Sequence, residues 1–509
     1  MTTPAEWAAT LAASEAELRD RDAVAKLFAH DHTLWQEDPT EVANRLGWLG
    51  EPERMQTEVD NLRAFARDLE RDGLEHVVWC GMGGSSLFPE LLAATVAAGK
   101  VSPRPGPAFT VLDSSHPAAV ARVAATVPHD RTLFCFASKS GGTIETRSHL
   151  DYFRTLVTGP HQLAVVTDAG SALDQLARAE NFRAVFNANP DIGGRYSALS
   201  HFGMVPAAIL GLDLASILRG GVEMAARCRA ADSPGAALAA ALGAGVHLRR
   251  DKLTIDAWGP FGDWVEQLVA ESTGKHDTGI LPVVREPIVA ADRYGEDRLF
   301  VGYEDDDALG KLAAGHPTVA LGRAALDGGG AALGAEVMRW EIAIALAGAL
   351  LHINPFDQPD VEAAKKAAGT VLEQGLPEFP YTSVGEALAS LRAGDYVAIQ
   401  AFVDPASPYL ERFESARLAI RDATKAATTL AVGPRYLHST GQLHKGGPPG
   451  GVFLQVLDVE GDDLPIPDRN FTFRELVSAE AAGDYLALQH RERCVFRVRA
   501  DELAAYDGA

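Results

Sequence analysis

An α/β protein is predicted: two parallel-sheet domains with helices on both faces, a helical N-terminal arm and a C-terminal tail. Three observations predict it. Short apolar runs recur between about residues 76 and 188, separated by helix-compatible stretches, the pattern of βαβ units. A second series of the same kind starts near residue 252. Glycine-rich turns stand where the first and third runs pass into helices, and open parallel sheets place their ligands at such points.

In chain order, residues 1–70 are rich in Ala, Leu, Glu and Arg with few β-branched runs, and read as a helical arm. The first domain, 71–215, carries the runs "HVVWC", "FTVLD", "TLFCFA", "LAVVTD" and "RAVFNA". Residues 199–250 are nearly all helix-forming and read as a connector. The second domain, 216–432, carries "KLTIDAW", "ILPVV", "RLFVGYE" and "TVALGR", then a long helical stretch from Ala331 to Ile353. The tail, 433–509, is rich in Gly and Pro and then β-like ("GGVFLQVLDV", "CVFRVRA"), and is expected to wrap onto the rest near the ligand site.

Composition narrows the partners. The 509 residues, 47% hydrophobic and 23% charged, are those of a globular protein too long for one core. A formal charge of −23 argues against nucleic acid and anionic membranes, which reward positive charge. The longest apolar stretch, "IAIALAGALLHI", is too short to span a bilayer, and the acidic N-terminus lacks the order of a signal peptide, so a cytoplasmic location is expected. Four scattered cysteines form no C-x-x-C pair, and "HDH" at 30–32 lacks ligand spacing, so no metal site is expected.

Chemistry concentrates in two turns. "CGMGGSSLFPE" (80–90) leads from a strand into a helix, where free N–H groups and the helix dipole favour an anion; Gly84 lets it approach and Ser85 offers a hydroxyl. "FASKSGGTIET" (136–146) repeats the arrangement with four side-chain donors, Ser138, Lys139, Ser140 and Thr143. Packing turns or simple helix caps are the bland readings. Two such cradles in one sheet favour a single phosphate held between adjacent strand ends.

"GMGGSSL" and "SKSGGTIET" together resemble the sugar-isomerase fold. "GGRYSALS" (193–200), "ESTGK" (271–275) and "NPFDQPDVEAAK" (354–365) resemble, in order, signature segments of the phosphoglucose isomerase family. The start ("AHDHTLW…NRLGWLG") and the tail ("YLHSTGQLHKGGPPGGVFLQV") resemble the isomerase portion of fused transaldolase–phosphoglucose isomerase proteins. The resemblance implies two sugar-isomerase-type domains and a reaction that moves a proton between C1 and C2 of a phosphosugar through an enediol, without cofactor. It implies Glu271 as the base, Arg195 facing the enediolate, Lys365 as ring-opening lysine and Gln358 on the phosphate side. Pro359 and Asp360 replace the Trp-Gly pair usual in larger members.

The family's ring-opening histidine segment does not occur between Glu271 and Lys365. The nearest echo is "YLHSTGQLHKGG", so His438 is expected to replace it from another point in the chain; His276 competes, and Lys365 acting with water is a third reading. The expectation is an aldose–ketose isomerase interconverting glucose 6-phosphate and fructose 6-phosphate. An isomerase acting also on mannose 6-phosphate and a non-catalytic phosphosugar-binding regulator are the alternatives. The only partner expected is the small-molecule phosphosugar, and a homodimer is left open.

Overall fold

The structure is a computed structural model that describes residues 2–100, 104, 106–303, 306–322 and 329–508. Glu304 and Arg323, the last residues of two of the predicted strand runs, lie outside the described residues. Helices Pro4–Asp20, Ala23–Phe28, Glu51–Gln56 and Val59–Arg71 occupy the start of the chain. The first opens on a capping box in which Thr3 and Glu6 satisfy each other's free N–H groups.

All five runs of the first series are strands: β1 (His76–Gly81), β2 (Ala108–Leu112), β3 (Thr132–Ala137), β4 (Leu163–Asp168) and β5 (Ala184–Ala188). They form one parallel sheet in the order β2-β1-β3-β4-β5. Val77, Val78, Trp79 and Cys80 on β1 and every residue of β3 are buried, as expected of strands covered on both faces. Burial pushes the Cys80 and Cys135 thiols up, which leaves them small apolar side chains. The strand order reverses between β1 and β3, so the turns after these two strands open onto the crevice where such sheets bind ligands. Both cradles are those turns.

Three helices, His201–Ile209, Leu214–Cys228 and Pro234–His247, fill the connector. The second sheet follows, with β6 (Lys252–Asp256), β7 (Leu281–Val283), β8 (Arg298–Gly302) and β9 (Thr318–Ala320) parallel in the order β7-β6-β8-β9. Helix Gly259–Thr273 leaves β6 and buries Trp264, Val265, Leu268 and Val269. Each such side chain contributes about 1.5–3 kcal/mol by leaving water, which holds the end of this helix firmly.

The C-terminal part differs from the expectation. Residues 396–432 do not extend the second sheet, and 433–509 is no appendage. β10 (Tyr396–Phe402), β11 (Ala427–Val432), β12 (Gly451–Leu457) and β13 (Cys494–Arg497) make a third parallel sheet in the order β11-β10-β12-β13. The reason is pairing. Every residue of β10 is buried, so its backbone needs a strand on each side, and the tail supplies β12. A domain boundary at 432 would separate β10 and β11 from β12.

Candidate active site

Arg195 sits on the short turn Gly194–Tyr196, buried, and its guanidinium gathers two distant segments. It donates to the carbonyls of Glu271, Pro355, Phe356 (3.1 Å) and Asp357 (2.9 Å), and lies 3.5 Å from the Glu271 carboxylate. Lys275, also buried, ties the same segments by pairing with Asp357 at 2.9 Å and donating to the Asn354 carbonyl. Burial, then the charge of Arg195, pushes its ammonium down to about 7. "GGRYS", "ESTGK" and "NPFDQ" thus meet at one point through backbone carbonyls.

Glu271 lies near the C-terminal end of helix Gly259–Thr273, 7% exposed. One turn earlier, Gln267 donates from Nε2 to Glu271 Oε2 at 3.1 Å and to the His438 carbonyl at 2.7 Å. A single amide therefore links the glutamate of the second sheet to the histidine of the third.

His438 ends the turn Arg435–His438 that follows β11. Its Nε2 is 2.6 Å from Glu145 Oε1. Burial would raise the Glu145 carboxyl, but the charge and hydrogen bond of His438 outweigh it and hold the acid at about 2. Glu145 is therefore a carboxylate, fixed in the first turn of helix Ile144–Phe153. His276 is placed quite differently, exposed on a turn at φ 53°.

A cavity of about 360 Å³ opens beside His438. Ser140, Gly142, Thr143 and Glu145 form one wall, helix Pro359–Gln374 with Lys365 another, and Lys445 and Glu480 complete it. The start of helix Ile144–Phe153 lines this space together with Ser140, Thr143 and two lysines, Lys365 and Lys445, a setting that favours an anion. Ser138 Oγ and Thr143 Oγ1 bond each other at 2.9 Å, which fixes the turn, and Gly141 takes φ 67° where a Cβ would meet Ser171.

The structure brings Ser140, Thr143, Lys365 and His438 together on this cavity, and places Glu271 and Arg195 one amide away. Other expected phosphate contacts lie elsewhere. Lys139 is held by Asp168 at 2.6 Å and the Pro190 carbonyl at 3.2 Å, and does not line the cavity. Gln358 is exposed at the start of its helix. Gly84 and Ser85 are outside the cavity lining; Gly84 lets the Gly194 carbonyl, and with it the Arg195 turn, come against β1's loop. Gly83, at φ 54°, similarly abuts the His438 backbone. The first cradle's glycines thus admit two protein turns. Among the described residues no group of three or more His, Cys, Asp or Glu is arranged to hold a metal ion.

Sequence reasoning missed Glu145, Gln267 and Glu480. Glu145 stands inside the motif "SGGTIET" and passes for a helix-start acid; Gln267 was signalled only by its i−4 spacing from Glu271, and Glu480 by nothing local.

Fold and site define an α/β protein that presents a helix N-terminus on a cavity, a buried glutamate against an arginine and a histidine–carboxylate pair at the strand ends of parallel sheets. The comparisons narrow this class. Residues 52–241 match the model of the family described as phosphoglucose isomerase. The glucose-6-phosphate isomerase of Synechococcus sp. (strain CC9605) is 30% identical over 65% of this chain and 75% of its own length. That of Rippkaea orientalis is 31% identical over 64% of this chain and 72% of its own length. The chain belongs to the phosphoglucose isomerase family. In fold it is similar to a solved glucose-6-phosphate isomerase from Chlamydia trachomatis, with TM-score 0.57, 18% identity and coverage of 71% of this chain and 86% of the other. A hypothetical protein from Thermus thermophilus is similar as well, with TM-score 0.59, 24% identity and coverage of 72% and 98%. No described helix is long and apolar enough to cross a membrane.

Proposed function

We propose that this chain is a glucose-6-phosphate isomerase that interconverts glucose 6-phosphate and fructose 6-phosphate by proton transfer through an enediol. The observation that carries the reading is the Gln267 amide, which holds the Glu271 carboxylate and the His438 turn together beside a cavity headed by a helix N-terminus. In this reading the phosphate sits against the 140–145 turn, held by backbone N–H groups, Ser140, Thr143 and Lys365. His438, paired with Glu145, gives its proton to the ring oxygen as the C1–O5 bond breaks and the C1 hydroxyl passes its proton to water, which opens the sugar, with Lys365 beside it on the rim. Glu271 then takes the proton from C2 and returns it to C1, a task for a carboxylate in a water-poor place. Arg195 lends a fixed positive charge where the enediolate develops, and four carbonyls keep its guanidinium from reorganising. The steps call on no metal or organic cofactor.

The finer expectations go with this reading: closeness to the isomerase portion of the fused transaldolase–phosphoglucose isomerase proteins, a cytoplasmic location and a homodimer. The test is a coupled assay of the purified protein with glucose 6-phosphate, fructose 6-phosphate and mannose 6-phosphate in EDTA. Turnover of the first two supports the proposal; turnover of mannose 6-phosphate as well widens it; binding without turnover on any of the three overturns it in favour of a phosphosugar-binding regulator.

A further inference from the structure

Behind the His438–Glu145 pair lies a second carboxyl, Glu480, on helix Phe473–His490 of the third domain. It is 4% exposed, and Ser115 Oγ, from the loop after β2, donates to its Oε2 at 2.8 Å. Its Oε1 is buried and has no donor among the described residues. Glu480 and Glu145 line the same cavity, beside the His438 turn. A buried carboxylate oxygen with no donor, on the same cavity as a second carboxylate, is costly as an anion, and a proton on one of the two acids removes that cost.

Which one carries it follows from the surroundings. Glu145 already faces the His438 ring, so a negative charge there is compensated. Glu480 is bonded instead to a neutral group, the Ser115 hydroxyl. The groups around it are Glu145 and His149 on helix Ile144–Phe153, His438 on its turn, Lys365 across the cavity, and Lys445 with Asp484. His149 is kept neutral by burial, and its Nε2 bonds the Ser114 carbonyl. The Lys445 ammonium is matched with Asp484 on Glu480's own helix, and Tyr436 donates to the same carboxylate at 2.7 Å. Burial and the neighbouring Glu145 charge push the Glu480 carboxyl well up, in agreement with the geometry.

We propose that Glu480 is a positioning residue that keeps its proton and donates it to Glu145, so that a Ser115–Glu480–Glu145 chain holds the His438 ring against the cavity. A proton on Oε1 turns a buried acceptor without a donor into a hydroxyl that can donate, which lowers the cost of burying it. The arrangement ties the third domain to the first through the one histidine that the reaction takes from the third sheet. The inference deepens the proposed function and rests on it for the kinetic readouts below.

The experiment compares Glu480→Gln, Glu480→Leu and the unaltered enzyme. Glutamine imitates a protonated acid: its amide N–H can donate to Glu145 and its oxygen can accept from Ser115. E480Q is expected to keep turnover of cyclic glucose 6-phosphate within about threefold and to leave the pH profile in place, while E480L, which leaves Glu145 without its donor, falls roughly tenfold or more and shifts the profile, with open-chain substrate much less affected. An infrared difference spectrum at pH 7 between unaltered protein and E480Q should show the carbonyl band of a protonated carboxyl that the variant lacks. That readout needs no activity and serves if E480L fails to fold. Absence of the band, or an E480Q profile displaced by about one pH unit, means that Glu480 is ionised and overturns the proposal. An E480L enzyme with normal turnover and profile overturns it too. An inactive unaltered enzyme with the band present would sink the isomerase reading and leave the carboxyl pair standing.

Discussion

The two chemical centres are held in opposite ways. Arg195 and Glu271 are fixed by backbone: a guanidinium on four carbonyls, and a glutamate near the end of a packed helix with one amide on its carboxylate. The His438 ring is fixed by a side chain, Glu145, on a turn that a separate sheet carries in. The first arrangement suits a permanent charge and a base that must not move between two carbons. The second suits a group whose proton must leave and return, because a carboxylate bonded to one ring nitrogen orients the imidazole and leaves its other nitrogen to react. In the proposed function, proton transfer and ring opening fall to these differently built places, and they can be broken separately.

The largest effect is expected at the backbone-held centre. Glu271→Gln removes the proton acceptor with almost no change of shape, and the Gln267 amide loses only its charged partner. Turnover should fall at least ~100-fold on cyclic and open-chain substrate alike, with phosphosugar binding retained. Steady-state kinetics together with binding by calorimetry measure this; near-normal turnover would remove Glu271 from the role. His438→Ala should instead divide the substrates. Loss of a ring-opening acid lowers the rate only where that step limits, so cyclic glucose 6-phosphate should slow by ~100-fold and substrate delivered in the open form by a few-fold at most. His276→Ala, on an exposed turn, should change neither. Equal losses on both substrate forms would merge the two centres into one.

A smaller effect is expected at the cradle that serves both centres. Ser138 and Thr143 hold the 138–143 turn by their mutual bond, and Thr143 also faces the cavity. Replacing both with alanine should raise KM for phosphosugars and weaken competition by inorganic phosphate by roughly tenfold, since a bond to a charged group contributes about 1.5–3 kcal/mol. Unchanged inhibition by phosphate would mean that the turn only packs.

How far the sequence showed all this follows the same division. The first sheet was legible strand by strand, because five apolar runs alternate with helices and need nothing from far away to be recognised. The glutamate, the arginine and the second cradle were legible because each stands in a short motif. The third sheet was not. Its central strand β12 comes from a stretch that opens with "GGPPGG" and reads as tail, and only the pairing with β10 makes it interior. His438 could be singled out, but its partner Glu145 lies 293 positions away and Ser115 is 365 positions from Glu480. Contacts of that separation leave no periodicity and no spacing to read. The first cradle taught a further point: its glycines left a ligand and a packing turn both open, and Gly83 and Gly84 admit the turns of His438 and Arg195.

The smallest expected effect sharpens what makes His438 different from any other buried histidine. His149 sits one turn after Glu145 on the same helix, stacks near Phe473, and gives its only bond to the Ser114 carbonyl while Nδ1 has no partner among the described residues. Burial pushes this imidazole down to about 4. The sign follows from proton binding. Below the ordinary histidine value near 6.5 the unfolded chain takes up a proton that the folded protein refuses, so the stability His149 supports is complete above 6.5 and is lost as the pH falls toward 4. Between pH 7 and pH 5 the loss is on the order of 2 kcal/mol, and it stops growing below about 4. His149→Gln can keep a donor for Ser114 but does not titrate. Its melting temperature should therefore drop less than that of the unaltered protein between pH 7 and pH 5, by a few degrees, with activity at pH 7 little changed. An identical drop would show that His149 takes up its proton in the folded state, and burial alone would then not separate it from the histidine that Glu145 holds.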